Sequence, residues 1–366
     1  MSRPLPAQSG NAGDTVGPVA GRSRRAFWLV LSSSIACACV IAYVLLRVYQ
    51  YRASAVIDRP TEIVAEVIDL MRANALNGER SDWPEIQALA NQVARNNGGE
   101  RERDLDSALH YLVSKLADGH SFYMPRAAVE PLLAEPAASP KKPASIADLT
   151  ALHGYPAIAV QSFLTFEPAM ALAAAGHLRA LLNRASASNS CGLIVDLRTN
   201  SGGNMYPMLV GILPLLPEGL MLSFKSVKGV STDVSRQGGE IWLAGNKATD
   251  ALESVSSMPA IPVMPVHVAV LTGPQTGSSG EMLVLAFKGR TNTRSFGLPT
   301  AGVTSANQPF PLRHGGVLNL ATSTTLDRSG APHPGPIQPD ERIEPHGAQL
   351  SAEQAAAAWL DRSCKA

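Results

Sequence analysis

Cysteine is scarce: 4 in 366 residues, with no CxxC pair and no Cys/His cluster at zinc-ligand spacing. That excludes a disulfide scaffold and a structural zinc site. Charge of one sign is not in excess either. Lys+Arg 31 against Asp+Glu 30 gives net +1. With no surplus of cations to neutralise phosphates, nucleic acid is not an expected partner. Nor is the chain poor in apolar residues. Hydrophobic residues make up 45% and charged residues 17%, so it is no disordered chain. No internal repeat is visible, and no metal or cofactor is called for.

Long hydrophobic runs are confined to the N-terminus. Phe27 to Leu46 carries no charge over twenty residues, enough for the roughly 30 Å hydrocarbon core of a bilayer. The run is longer than a signal-peptide core and ends in Leu45–Leu46–Arg47, which favours a retained signal anchor over a cleaved leader. Cys37 and Cys39 suggest a lipoprotein cleavage site, but the residues before them fit poorly. The Arg22, Arg24, Arg25 cluster outweighs Arg47 and Arg52, so the N-terminus stays cytoplasmic and residues 47–366 lie on the periplasmic side. The expected organisation is a disordered tail (1–25), a transmembrane anchor (26–46), a linker (47–57), a helical domain (58–130), a Pro- and Ala-rich loop (131–149) and an α/β core (150–366).

Apolar spacing predicts helices over Asp58–Leu76 and Trp83–Arg95, and a third capped by Asp104 that stops at Asp118-Gly119-His120-Ser121. From Tyr155 strand and helix alternate. Strands are expected at Ala157–Phe163, Gly192–Arg198, Leu220–Val227, Val266–Leu271, Arg294–Gly297 and Val317–Ser323. Helices are expected at Glu167–Ala187, Asn204–Leu216 and Ser279–Gly289, and from Ser351, with Gln354 placed for a capping box. This succession implies a largely parallel sheet.

In such sheets chemistry gathers where strands end and helices begin. Two glycine-rich turns have that form. Thr199-Asn200-Ser201-Gly202-Gly203-Asn204 follows GLIVDLR, and paired glycines let backbone N–H groups approach a ligand. Gly273-Pro274-Gln275-Thr276-Gly277-Ser278-Ser279-Gly280-Glu281 precedes an apolar helix, where a hydroxyl gains from the helix dipole and free N–H groups. Taken singly, each is also an ordinary turn or a Ser N-cap.

Taken in order, DGHS, DLRTNSGGN, TGSSGE and FGLPTAG resemble the C-terminal processing (tail-specific) serine peptidases, over roughly residues 60–345. The likeness is to the branch with the tricorn core and interphotoreceptor-retinoid-binding-protein-like domains. It implies a crotonase/Clp-protease-like α/β core after a small helical domain. It makes Ser278 the nucleophile, with Glu281 at the acidic position of the same turn. It also assigns Gly202 or Gly203 with Ser279 to the oxyanion hole. Relatives with a lysine base carry it in a TFGKG turn. Here Thr300-Ala301-Gly302-Val303 has none, so the tricorn-like assignment makes His120 the base. The orienting Glu of that branch falls on His333, counting back from Pro339–Asp340; His333, Asp340 or Glu341 are the candidates. The stretch between Ser121 and Ala157 is too short for the PDZ domain of many relatives. The expected function is a membrane-anchored serine endopeptidase acting on proteins or peptides outside the cytoplasm. The alternatives are a catalytically inactive binding protein on the same scaffold and a crotonase-like acyl-CoA enzyme.

Overall fold

The computed structural model describes residues 59–95, 101–133, 146–164, 168–188, 190–243, 246–247, 266–344 and 350–365. The expected tail, membrane anchor and linker lie outside the described residues. Among the described residues no helix is long and apolar enough to cross a membrane.

Helix α1 (Pro60–Asn74) starts with a proline at its first position, where no intrahelical N–H is needed, and buries Ile63, Val64, Val67, Ile68 and Met71. Helix α2 (Trp83–Ala94) buries Trp83, Ile86, Ala90 and Ala94 at the same three- and four-residue spacing. Helix α3 spans Arg101–Ser114, so Asp104 is inside its first turn and not its cap. There its carboxylate still faces the positive end of the helix dipole. The three helices do not close a core by themselves. Their apolar faces share one cluster with Tyr123, Leu312, Leu318 and Leu320. The first of these lies in strand β1 (Phe122–Met124), which is followed by α4 (Arg126–Leu133).

The remaining elements are β2 (Ala147–Leu152), β3 (Tyr155–Val160), α5 (Pro168–Ser186), β4 (Gly192–Asp196), α6 (Met205–Ile212), β5 (Gly219–Ser226), β6 (Ser231–Gln237), β7 (Glu240–Leu243) and β8 (Asn246–Lys247). They continue with β9 (His267–Thr272), α7 (Ser279–Phe287), β10 (Thr293–Gly297), β11 (Ala306–Pro311), β12 (Val317–Asp327), β13 (Glu341–Arg342) and α8 (Ala352–Ser363). A six-stranded sheet has the order β13-β10-β9-β4-β3-β2. All its pairs are parallel except β2 with β3.

Successive residues of β4 point to opposite faces. Leu193 and Val195 enter a core with α5, α6 and α7, while Ile194 enters a second cluster covered by Ala355, Ala356 and Leu360 of α8. Ser351 caps α8, and its own N–H donates to Gln354 Oε1 at 2.8 Å, completing the expected capping box. A disulfide between Cys191 and Cys364, 5.9 Å apart at Cα, fastens the end of α8 to the start of β4. Cysteine scarcity excluded a disulfide scaffold, but one cross-link is present.

The largely parallel architecture is only half of the fold. A second, antiparallel sheet of seven strands runs β1-β12-β5-β6-β7-β8, with β11 also on β12. Several of its strands carry few apolar residues. In β6, Ser231–Gln237, only Val234 is buried. Such a strand gives little hydrophobic signal in the sequence, which marks only β5 and β12 of this sheet as strands.

Candidate active site

Strands β4 and β9 are parallel neighbours, with Asp196 beside Leu271, so their carboxyl ends release two loops at one edge. The loop after β4 carries Asn200 to Asn204. The loop after β9 carries Gly273 to Ser278. Asn200 is fully buried and joins them. Its side-chain oxygen accepts the N–H of Gly202 at 3.0 Å, and its carbonyl accepts the N–H of Gly277 at 2.9 Å. Thr276, also fully buried, donates its hydroxyl to Leu197 O at 2.8 Å. Neither residue was picked out from the sequence beyond its place in a motif. A polar residue between two glycines' turns gives no local sign that it will be buried.

Ser278 precedes the first turn of α7 with φ 49 and ψ −119, a left-handed backbone that L-residues adopt rarely. Glu281, one turn on, is fully buried and holds this conformation: its Oε2 accepts the Ser278 N–H at 2.9 Å. Its Oε1 accepts the Thr300 hydroxyl at 2.5 Å and the Gly302 N–H at 2.8 Å. Burial raises the Glu281 pKa, and these donors oppose the rise without cancelling it.

His120 comes from the turn between α3 and β1. Its backbone N–H donates to Asp118 Oδ1 at 2.9 Å, and its carbonyl accepts Asn307 Nδ2 at 2.8 Å. Its Nε2 lies 3.1 Å from Ser278 Oγ, and its Nδ1 lies 2.8 Å from Ser305 Oγ. Burial lowers the His120 pKa below the usual 6.5, with Asp118 and the Ser305 backbone opposing. The shift favours the neutral form of the ring.

The two glycines differ. The Gly202 N–H is engaged by Asn200, so Gly202 is not the free donor expected of it; it serves instead as the point of closest approach. A Cβ there would lie 2.8 Å from Ser278 Cβ. Gly203 is exposed, and its N–H has no partner among the described residues. Ser279, first residue of α7, carries one of the N–H groups that a helix leaves unpaired. Its hydroxyl donates to Gly203 O at 2.5 Å, tying the two N–H groups to one place. Both glycines have positive φ, +112 and +116, so neither would accept a bulky side chain without strain.

The expected orienting residues are elsewhere. His333 Nε2 lies 2.9 Å from Asp327 Oδ2, and Asp340 Oδ2 accepts the N–H and the hydroxyl of Ser295, each at 2.8 Å. Glu341 faces Arg294 at 3.4 Å. None of the three bonds His120; position along the chain placed them near a motif, and pairing in β10, β12 and β13 took them away from the site. Among the described residues no group of three or more His, Cys, Asp or Glu could hold a metal ion.

Residues 157–343 match the sequence model of peptidase family S41. The chain belongs to peptidase family S41. The match runs from β3 to the end of β13 and includes both glycine turns, but α1–α3, His120 and α8 lie outside it. The nisin-resistance protein of Lactococcus lactis subsp. lactis is 36% identical over 179 residues, 49% of this chain and 52% of that one. This chain therefore spans about half the length of that curated relative. A lipoprotein structure from Streptococcus agalactiae superposes with a TM-score of 0.66 at 24% identity, covering 83% of this chain and 96% of the other. The photosystem II D1 C-terminal processing protease superposes with a TM-score of 0.51 at 12% identity, covering 82% and 97%. At these identities the two structures speak for the fold alone.

Proposed function

We propose that this S41 member is a serine endopeptidase that uses Ser278 as nucleophile and His120 as general base. The observation that carries the reading is the 3.1 Å contact between His120 Nε2 and Ser278 Oγ, made by residues 158 positions apart. As Ser278 Oγ bonds to the scissile carbonyl carbon, its proton passes to Nε2. The carbonyl oxygen takes the electron pair and is held by the N–H groups of Gly203 and Ser279. Collapse breaks the C–N bond, and the imidazolium gives its proton to the leaving amine. Water then repeats the sequence on the acyl-enzyme, restoring Ser278.

The N-terminal run Phe27–Leu46 supports anchoring in the cell membrane, with the catalytic part on the periplasmic side. Membership of peptidase family S41 supports proteins or peptides as the substrate class. A phosphatase active only outside the cytoplasm, fused after Ala366, tests the topology: activity supports it. A fluorophosphonate probe tests the chemistry. Labelling should map to Ser278 and disappear in Ser278→Ala. Because paired groups act as a unit, His120→Ala should cost nearly as much, and the double variant no more than either. Folded protein that resists the probe would instead favour a non-catalytic binding role for the same scaffold.

A further inference from the structure

The imidazole of a serine peptidase needs a fixed tautomer, with the proton on Nδ1 and a bare Nε2 toward the nucleophile. Carboxylates usually see to this, but those near His120 are already engaged. Asp118 receives the backbone N–H of His120, the N–H of Ser121 at 2.7 Å and the Ser121 hydroxyl at 2.6 Å. Glu281 receives Ser278, Thr300 and Gly302. What faces Nδ1 is the Ser305 hydroxyl at 2.8 Å.

Ser305 is held on both sides. Thr304, just before it, is buried; its hydroxyl donates to His333 O, and its carbonyl accepts Thr325 Oγ1 at 2.5 Å. Gly302 is pinned by Glu281, which also holds Ser278. Asn307, two residues after Ser305, grips the His120 carbonyl at 2.8 Å. One segment, residues 300–307, thus spans from the nucleophile's clamp to both the backbone and the ring of His120.

We propose that Ser305 is the positioning residue of the site: its hydroxyl oxygen accepts the Nδ1–H of His120, fixing the productive tautomer without a carboxylate. The proposal rests on the Ser278/His120 reading. A neutral acceptor stabilises the imidazolium less than an anion does. Burial already lowers the His120 pKa, and among the described residues Asp118 supplies the charge opposing it, through the backbone turn and not at the ring. The site therefore favours the neutral imidazole.

The test is the rate of fluorophosphonate labelling at Ser278 against pH, with the full-length protein and four variants. Ser305→Ala should label about 10- to 10²-fold more slowly, as expected for a misaligned catalytic group. Its acid limb should move to lower pH by the share that the hydroxyl contributes, since alanine keeps the Ser305 backbone that also favours the imidazolium. Ser305→Thr, which keeps the hydroxyl, should restore rate and limb. Ser305→Asp should move the limb upward, a shift that a merely structural role would not produce. Wild-type rate and limb in Ser305→Ala, or an unmoved limb in Ser305→Asp, overturns the proposal. His120→Ala separates the two levels. If it abolishes labelling while Ser305→Ala changes nothing, only the positioning role fails. If His120→Ala labels normally, the base assignment fails and Ser305 falls with it.

Discussion

The backbone N–H of Ser278 and the Oε2 of Glu281 are joined at 2.9 Å, inside a protein interior that excludes water from the carboxylate. The other oxygen of Glu281 carries Thr300 and Gly302. An amide has one accepting oxygen and cannot serve both sides. Glu281→Gln is expected to lose about 1–3 kcal/mol of stability, the usual cost of leaving a buried donor unpaired. Probe labelling should fall further than unfolding accounts for, because the strained Ser278 turn loses its clamp. Equal labelling rates at matched folded fractions would show that the clamp is only structural.

Glycine 202 should matter for close approach and not as a donor. Gly202→Ala puts a methyl 2.8 Å from Ser278 Cβ, at a φ of +112 that disfavours alanine. Labelling at Ser278 should fall by about 10²-fold, the scale of a small misplacement at a reacting atom, and stability by about 1–3 kcal/mol. Unchanged labelling in folded Gly202→Ala would contradict the packing of the two loops described above.

Activity should persist below the usual histidine range. In the proposed mechanism His120 must be neutral to take the proton, and burial lowers its pKa from 6.5. The rise of labelling rate with pH is therefore expected to centre below 6.5. A midpoint above 6.5 would mean that a different group, or a carboxylate at the ring, governs the base.

Acid should destabilise the fold through His314. It is 3% exposed, and its pKa is lowered from 6.5 to about 4, mainly by burial and further by Arg126. Tyr123 donates its hydroxyl to Asp106 at 2.6 Å, so His314 Nε2–H donates to the Tyr123 oxygen at 2.8 Å. Its Nδ1 has no partner among the described residues, so a proton added there finds no acceptor among them. A folded-state pKa below the unfolded one means stability present above about pH 6.5 and lost as pH falls toward about 4. The loss is on the order of 3 kcal/mol. Urea unfolding at several pH values should show it, with a shallower slope in His314→Gln; an identical slope would rule His314 out.

The disulfide should stabilise without taking part in the chemistry. Cys191 and Cys364 are 173 positions apart, so the bond constrains a large unfolded loop. Breaking it with Cys191→Ser and Cys364→Ser together is expected to cost about 2–4 kcal/mol in denaturant melts. Labelling of the folded fraction should be unchanged, because the bond is at the start of β4 and the site at its carboxyl end. Loss of labelling in the folded double variant would implicate α8 in the site, most directly through the Glu353 contact to Arg198 at 2.5 Å.

The residues themselves determined the parts of this protein that obey local rules. Three- and four-residue spacing marks α1 and α2 within two residues of their observed limits, and Ser351 with Gln354 marks the start of α8. Runs such as GLIVD and HVAVLT read as buried strands because they are apolar on both faces. DGHS, DLRTNSGG and TGSSGE, taken in order, singled out Ser278 and His120 only through their resemblance to the tail-specific peptidases, since each motif alone also reads as an ordinary turn. Only the tertiary structure decided what those residues touch. It set His120 3.1 Å from Ser278 across 158 positions, gave Nδ1 to Ser305 in place of His333 or Asp340, and withdrew the Gly202 N–H into Asn200. It also produced the antiparallel sheet and the Cys191–Cys364 bond. Long-range pairing follows from strand register and from which faces remain to be buried, and neither is written in the spacing of a single segment.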